Sequence, residues 1–362
     1  MTNQKPHIGI IGAGRIGSAI HNLMIGGDLG YEVTIADVFE TNSNFTNYEC
    51  VDVNDESSVD EFVYNKTAIV NALPYHLNIK LWNSCKNQNT PYFDLSEDEG
   101  LDKYIEMHYD VENIQFTMPH CGLAPGISTV IADSLVKKFD IVEDVKIRVG
   151  ALSQHASNKL KYHTSWSGDG LVNEYKGMCQ TVFNGKYQEV KALNGYEVLT
   201  IDGHDYEAFN TSGGIGTYAH TLADQDTDNI NANYKTIRRL GHHDYADFLF
   251  NDLRLCDSTL VDIFNNHVTA TTDDCVIIYV VVNGLDTKGK KIEETYTETF
   301  YPEMIQGRRY TAIELTTAAG VIGAVEMFVS RILPTHGYFR QEDMSYKKYL
   351  GTKLGNLIYN KR

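Results

Sequence analysis

The sequence predicts an α/β fold: a doubly wound parallel sheet joined to a second α+β domain built on a mostly antiparallel sheet. Three observations carry this. An apolar strand at the start of the chain runs into glycines in the pattern Gly12-Ala13-Gly14-Arg15-Ile16-Gly17. Strand-like and helix-like runs then alternate as far as Phe139, as in a parallel sheet with crossover helices. From Val142 the pattern changes to half-buried alternation, as in Val145-Lys146-Ile147-Arg148-Val149.

Each glycine of the first motif has a physical task. Gly12 permits the tight turn out of the strand, and Gly14 lets the backbone approach a pyrophosphate. Gly17 lets the following helix, Ser18 to Met24, pack closely, so that its N-terminal amides face the phosphates. A second apolar strand, Tyr31 to Asp37, ends in the carboxylate that a Rossmann fold uses to accept hydrogen bonds from the adenosine ribose. Val38, Phe39 and Glu40 supply no cation for a 2′-phosphate, so NAD is favoured as cofactor. Arg15, on the phosphate side, leaves NADP open.

A polar stretch, Thr41 to Tyr48, leads to Cys50-Val51-Asp52 and a helix over Glu56 to Tyr64. A strand over Thr67 to Leu73 stops at Pro74, a helix covers Leu77 to Asn87, and further strands lie at Pro91 to Leu95 and Ile114 to Met118. Ligands of such sheets bind outside the carboxyl ends of the strands. Asp52, Leu73-Pro74-Tyr75, Asp94 and His120-Cys121 all fall there. Gly12, Gly14, Arg15, Ile16, Gly17, Asp37, Asp52, Leu73 and Pro74 are therefore assigned to the cofactor, and Tyr75 to the substrate.

A helix over Thr129 to Phe139 follows. Long strands at Tyr196 to Thr200, Val276 to Val282 and Thr295 to Phe300, with a helical region between Gly241 and Asn266, build the second domain. The tail, Thr311 to Ile332, reads as one long helix with small residues at Ala318, Ala319, Gly320 and Gly323, which permit close packing. It is expected to return to the first domain. The domains are thus residues 1–125 completed by helices in 308–362, and a substrate and dimerisation domain at 126–307.

The chain has 362 residues, 42% hydrophobic and 22% charged, as in ordinary globular proteins. A net charge of −17 argues against nucleic-acid binding, which needs basic surface. The six cysteines show no CxxC pair and read as reduced thiols. The start carries no apolar signal region, and the run Cys275 to Val282 is too short to span a bilayer. A cytoplasmic protein without membrane contact, a homodimer by default, is expected.

Chemistry is expected where Met118-Pro119-His120-Cys121-Gly122-Leu123-Ala124-Pro125-Gly126 leaves a strand and enters a helix. A helix N-terminus lowers the pKa of a nearby thiol, which makes Cys121 a candidate titrating group; the alternative is a small buried residue. Asp94, between Phe93 and Leu95, is a candidate acid–base carboxylate or a cap for the Ser96-Glu97-Asp98-Glu99 turn. His120 ranks third.

In the second domain Trp166 walls a pocket or fills the core. Ser212-Gly213-Gly214 is a loop that presents backbone amides to a ligand. Lys235 and Arg238 clamp a substrate carboxylate or pair with the protein's own acidic surface. His242-His243-Asp244 has no third ligand at a metal spacing, so no metal site is assigned.

Together these stretches resemble the saccharopine dehydrogenase-like family, nearest to its lysine 6-dehydrogenase and saccharopine reductase branches. The resemblance rests on the glycine motif, Asn71-Ala72-Leu73-Pro74, Tyr92-Phe93-Asp94-Leu95 and Cys121-Gly122-Leu123-Ala124-Pro125-Gly126. It continues in Thr164-Ser165-Trp166-Ser167, Glu207-Ala208-Phe209 with Ser212-Gly213-Gly214, and Asn233-Tyr234-Lys235-Thr236-Ile237-Arg238. It implies reversible oxidation of a carbon–nitrogen bond in a small, lysine-like amino acid, with NAD or NADP taking the hydride. The active-site Asp and Cys of the reductase branch align with Asp94 and Cys121. Where similar sequences carry Tyr-Pro before a Gly-His, this chain has Arg239-Leu240. The first expectation is an NAD-preferring lysine 6-dehydrogenase-like enzyme. The alternatives are a saccharopine reductase and a catalytically silent NAD-binding protein.

Overall fold

Strand β1 (His7–Ile11) buries Ile8, Ile10 and Ile11 completely, as a strand covered on both faces must. The computed structural model to which it belongs describes residues 5–39, 45–97, 99–225 and 229–360. Glu40, residues 41–44 of the polar stretch and Asp98 lie outside these. The chain divides into two compact units, residues 1–130 with 314–362, and residues 131–313.

In the first unit, β1 is joined by β2 (Glu32–Asp37), β3 (Tyr48–Cys50), β4 (Ala68–Asn71), β5 (Tyr92–Asp94) and β6 (Thr117–Met118) in the order β3-β2-β1-β4-β5-β6. All these pairings are parallel. The order reverses between β1 and β4, which opens a crevice at their carboxyl ends. Helices α1 (Arg15–Gly26), α2 (Glu56–Val63), α3 (Asn78–Asn87) and α4 (Glu99–His108) supply the crossovers. Asp55 caps α2 by accepting from the Ser57 amide at 3.1 Å. Phe62, Trp82 and Tyr92 pack in one apolar cluster, and the Trp82 indole donates to Thr117 Oγ1 at 3.0 Å.

The strand expected over Ile114 to Met118 shrinks to the two residues of β6. Gln115 and Thr117 form bridges with His336 and Tyr338 instead, so a distant segment of the chain takes the place of a sheet neighbour. Helix α5 (Ile127–Val136) follows and crosses the boundary between the units.

The second unit is built on β7 (Ile141–Ser153), β8 (Met178–Phe183), β9 (Lys186–Lys191), β10 (Glu197–Ile201), β11 (His204–Phe209), β12 (Asn231–Arg239), β13 (Asp274–Leu285) and β14 (Lys291–Phe300). Their order is β10-β11-β12-β7-β13-β14, with β8 on β12 and β9 on β8. Only the β12–β7 pairing among these is parallel. β7 is much longer than its alternating core because it is paired on both flanks, to β12 and β13. Helices α6 (Gly168–Glu174), α7 (Tyr218–Ala223), α8 (His242–Asp247) and α9 (Asp257–Asp262) accompany the sheet. Tyr162, Leu171, Tyr175, Phe209, Phe250 and Phe264 form its aromatic-rich core. Gly241, at φ +88°, turns the chain from β12 into α8.

After a hairpin of β15 (Glu303–Ile305) and β16 (Arg308–Tyr310) comes α10 (Ala312–Val329), then α11 (Tyr346–Tyr349) and α12 (Lys353–Tyr359). Among the described residues α10 alone is long and apolar enough to cross a membrane, yet 78% of it is buried inside the protein. Its small residues are required where they stand. A Cβ on Gly320 would lie 2.4 Å from the Gly122 carbonyl oxygen, and one on Gly323 2.3 Å from the Tyr349 ring.

Candidate active site

The glycine turn has the form a dinucleotide needs. Gly12 adopts φ +105°, and a Cβ there would lie 2.6 Å from the Ala72 carbonyl oxygen at the end of β4. A Cβ on Gly17 would lie 1.8 Å from the Gly12 carbonyl oxygen. Gly14 is different: a Cβ there meets nothing within 4 Å. Nothing in the fold requires this glycine, whereas a pyrophosphate against the backbone would. Gly14 also caps α1 without a side-chain bond, so the helix start is not closed by its own cap.

Asp37 binds this turn from the end of β2. Its Oδ2 accepts from the Ala13 amide at 2.7 Å and its Oδ1 from the Val38 amide at 2.8 Å. Arg15 is paired with Glu314 at 4.0 Å. Leu73 and Ile16 are half-buried and Pro74 exposed beside the turn, while Tyr75 is 46% exposed on the helical turn that follows. Asp52 is exposed and accepts from the amide and side chain of Asn54. These residues share the carboxyl edge of one sheet and fit a nicotinamide dinucleotide.

Further along that edge, Asp94 is fully buried. Its Oδ1 accepts from the Ser96 amide at 3.0 Å, the Ser96 hydroxyl at 3.1 Å and the His120 amide at 3.0 Å; its Oδ2 accepts from Tyr92 Oη at 3.0 Å. Burial raises its pKa, and the nearby His120 and these hydrogen bonds oppose the rise. The carboxylate thus makes the Ser96 turn bonds, and its bonding capacity is spent within the chain.

His120, at φ +59°, is also buried. Its Nδ1 lies 2.6 Å from the Ser96 carbonyl oxygen and its Nε2 2.6 Å from Asp102 Oδ2. Both nitrogens face acceptors, so both carry protons. Burial alone would lower the pKa, but Asp102, through charge and hydrogen bond, and then Asp94 raise it to about 10.

Cys121 departs from its expected role. Helix α5 begins six residues later, at Ile127, and its first amides are taken by the Gly122 and Leu123 carbonyls at 3.0 Å. The helix end is closed to the thiol, which points at the Met118 carbonyl oxygen, 3.2 Å away. Burial and then the Asp94 charge push its pKa well above the ordinary value. It is not an activated thiol in this state.

Lys235 and Arg238 do not form one clamp. They lie three apart on β12 and so project to opposite faces of the sheet. Lys235 Nζ is 2.7 Å from Glu197 Oε2, and Arg148 from the neighbouring strand binds the other oxygen of that carboxylate. Arg238, 2% exposed, donates to Tyr175 Oη at 2.7 Å and pairs with Glu174 Oε2 at 3.3 Å. Ser212 is spent locally, its hydroxyl on the Asn173 carbonyl and its amide on that of Glu174. Gly213, at φ +79°, continues this turn. Trp166 is half-buried against the aromatic core and packs over Gly170. Arg239 donates to the carbonyls of Ser153 and Gln154, and Leu240 is 44% exposed.

Two features escaped the sequence reading. Asn71 donates to Asn78 Oδ1 and Tyr92 Oη, both at 2.8 Å, and accepts from the Leu73 amide, which fixes the end of β4. Its signal was its place at a strand end in the Asn71-Ala72-Leu73-Pro74 motif, where Asn71 itself was given no role. Glu174 is the second. Its side chain is 11% exposed, and burial outweighs the attraction of Arg238 to raise its pKa to about 7. Behind it the protons are ordered. Arg238 Nε donates to Tyr175 Oη, the Tyr175 hydroxyl donates to His242 Nε2, and His242 Nδ1 donates to the Leu160 carbonyl. His242 stays neutral, its pKa lowered by burial and then Arg238 to about 3. No motif marks Glu174.

Two family models match most of the chain: the saccharopine dehydrogenase NADP binding domain over residues 8–118 and the saccharopine dehydrogenase C-terminal domain over residues 122–357. Among solved structures, apo saccharopine dehydrogenase (L-Glu forming) from Saccharomyces cerevisiae superposes with a TM-score of 0.73 at 12% identity, covering 96% of this chain and 97% of that one. The homospermidine synthase of Legionella pneumophila, in complex with NAD, gives 0.68 at 11% identity, covering 98% and 89%. The likeness to these structures is one of fold. With both domain models matched in sequence order, the chain belongs to the saccharopine dehydrogenase family of NAD(P)-dependent oxidoreductases.

Proposed function

We propose that this protein oxidises the carbon–nitrogen bond of an amine-bearing amino acid of the lysine class, with NAD as the preferred acceptor. Bound nicotinamide supplies the hydride acceptor. The observation that carries the reading is the glycine turn, where Gly14 stands with no atom within 4 Å of a Cβ and Asp37 holds the Ala13 amide, in a chain that matches both saccharopine dehydrogenase domain models. A side-chain amine with a pKa near ~10.4 must lose a proton before hydride leaves its carbon, so the reaction needs a base. A base takes the amine proton, hydride leaves the adjacent carbon, and water hydrolyses the resulting iminium to an aldehyde and an ammonium ion. Asp94 and Cys121 scaffold the site in this reading. Asp37, with no cation at Val38 or Phe39, underlies the preference for NAD.

A donor with three carboxylates is less well served, because Lys235 and Arg238 are each paired with a glutamate. The same commitment favours a second reading, a diamine or polyamine donor without a carboxylate. The test is absorbance at the reduced-nicotinamide band with NAD or NADP and a panel of lysine, ornithine, saccharopine and small diamines. Reduction with lysine supports the first reading, and with diamines alone the second. Turnover only with saccharopine would move the enzyme to the reductase branch. Silence on the whole panel with NAD still bound would refute both readings.

A further inference from the structure

The chain carries three Asn-Gly steps, at Asn184-Gly185, Asn194-Gly195 and Asn283-Gly284, and all three belong to the second unit. Such a step can react with itself. The glycine amide nitrogen, once it has lost its proton to hydroxide, attacks the asparagine Cγ; the N–Cγ bond forms, the Cγ–Nδ2 bond breaks and ammonia leaves. Water then opens the resulting succinimide to aspartate or isoaspartate. Glycine favours the attack because no Cβ crowds its nitrogen. The reaction needs a glycine amide that water reaches and no acceptor holds, and an asparagine side chain free to turn onto it.

The fold denies these conditions to two of the three. Asn184 and Gly185, at φ +48° and +73°, form the two-residue turn between β8 and β9. The Gly185 amide donates to the Ile230 carbonyl at 2.9 Å, and the Asn184 amide to Asn231 Oδ1 at 3.0 Å. Asn283 and Gly284 lie inside β13, paired on both flanks to β7 and β14, and Gly284 is buried.

Asn194-Gly195 differs on every count. It sits in the connection from β9 to β10, and both residues are exposed. Among the described residues no group accepts from the Gly195 amide, and the Asn194 side chain has no hydrogen-bond partner. The fold also keeps this glycine in place: Gly195 adopts φ +70°, and a Cβ there would lie 2.8 Å from Asn210 Nδ2. Asn194 is held through its main chain. Its carbonyl accepts from the Asn210 amide at 2.9 Å, beside the Leu193 amide, which donates to the Asn210 carbonyl at 2.8 Å.

We propose that Asn194 is a site of spontaneous deamidation, at which the chain acquires isoaspartate as it ages. Isoaspartate routes the main chain through Cβ and Cγ and turns the former Asn194 carbonyl into a free carboxylate. The chain gains a negative charge, and the paired bonds to Asn210 lose their register. The proposal is independent of the dehydrogenase reading, because it requires neither cofactor nor turnover.

The experiment is incubation of the full-length protein at mildly alkaline pH, followed by peptide mapping with a mass-spectrometric readout that separates isoaspartyl from aspartyl peptides. Cleavage after Glu189 and Glu197 isolates Asn194 in one short peptide. Isoaspartate is expected at Asn194 at least about fivefold faster than at Asn184 or Asn283, the factor that one net hydrogen bond supplies. In urea, where the fold no longer protects the other two, the three rates should converge. Amide hydrogen exchange at Asn210 should quicken in the aged protein and stay unchanged in Asn194→Ser aged alongside it. Equal rates at the three steps in the folded protein, or no reaction at Asn194 where the unfolded chain reacts, would overturn the proposal. A preference for Asn194 that persists in urea would overturn its structural cause, and unchanged exchange at Asn210 would overturn the loss of register.

Discussion

Replacing Asp102 by Asn removes the anion that holds His120 as an imidazolium. His120 donates from both ring nitrogens, to the Ser96 carbonyl and to Asp102, each at 2.6 Å, and so ties α4 to the end of β6. Its pKa rises from 6.5 to about 10 on folding. A group raised in this way contributes stability that is fully present below pH 6.5 and is lost as pH climbs through about 10. At ~1.36 kcal/mol per pKa unit the contribution at pH 7 is at most about 4 kcal/mol, in the range found when one partner of a buried pair is removed.

Asp102→Asn should therefore destabilise the first unit by about 3 kcal/mol at pH 7, roughly 1–2 M in the urea midpoint. The loss should shrink towards pH 10.5. The buried Trp82 reports on this unit once Trp166 is replaced by Phe. Tyr338 Oη also donates to Asp102, at 2.8 Å. Burial and Asp102 itself hold the Tyr338 pKa well above its ordinary value, so that bond does not titrate in the window. An equal loss at pH 7 and pH 10.5 would show that the imidazolium plays no part, and no loss at pH 7 would refute the pair itself.

Three further outcomes follow from the geometry. Gly17→Ala should lower the melting temperature by several degrees, since its Cβ would lie 1.8 Å from a carbonyl oxygen; Gly14→Ala should leave it unchanged yet weaken nucleotide binding at least tenfold, as fluorescence titration with NADH would show. Burial raises the Glu174 pKa from 4.5 to about 7, so its ionisation lowers stability as pH climbs from 4.5 through about 7; Glu174→Gln should flatten that part of the pH dependence, read as the urea midpoint between pH 5 and 8. With a thiol reagent at pH 7.5, peptide mass mapping should find Cys256 modified before Cys121: Cys256 is exposed, with its pKa lowered to about 7 by hydrogen bonds from Ser258 and Thr259, whereas Cys121 is buried and protonated.

The parallel sheet was legible because strands buried on both faces must be continuous apolar runs, and because Gly17 answers to a contact with Gly12 within one motif. What escaped depended on distant partners. β6 is cut short by His336 and Tyr338, which no local pattern announces. Lys235 and Arg238 are another matter. Their separation by three residues places them on opposite faces of any strand, and no strand was assigned to the stretch that forms β12. The Cys121 thiol was misjudged through the start of α5, whose first amides are closed by carbonyls of the Gly122–Leu123 turn.

Asp37 and Asp94 show where local reading stops. Both end buried parallel strands, and both accept amide hydrogen bonds at the carboxyl edge of one sheet. Asp37 remains half-exposed next to the exposed Val38 and Phe39, and its bond to the Ala13 amide shapes the cofactor turn. Asp94 is sealed because the chain returns across it: the His120 amide and the Ser96 hydroxyl complete its shell, and the His120 imidazolium supplies the countercharge. A strand-terminal carboxylate is thus only a candidate until the segment that crosses it is known. Glu174 makes the converse case, since it lies in no motif and owes its raised pKa to burial, which outweighs the opposing attraction of Arg238 on a strand far along the chain. Sequence shows where a carboxylate stands; the returning chain decides how it is bonded and where it titrates.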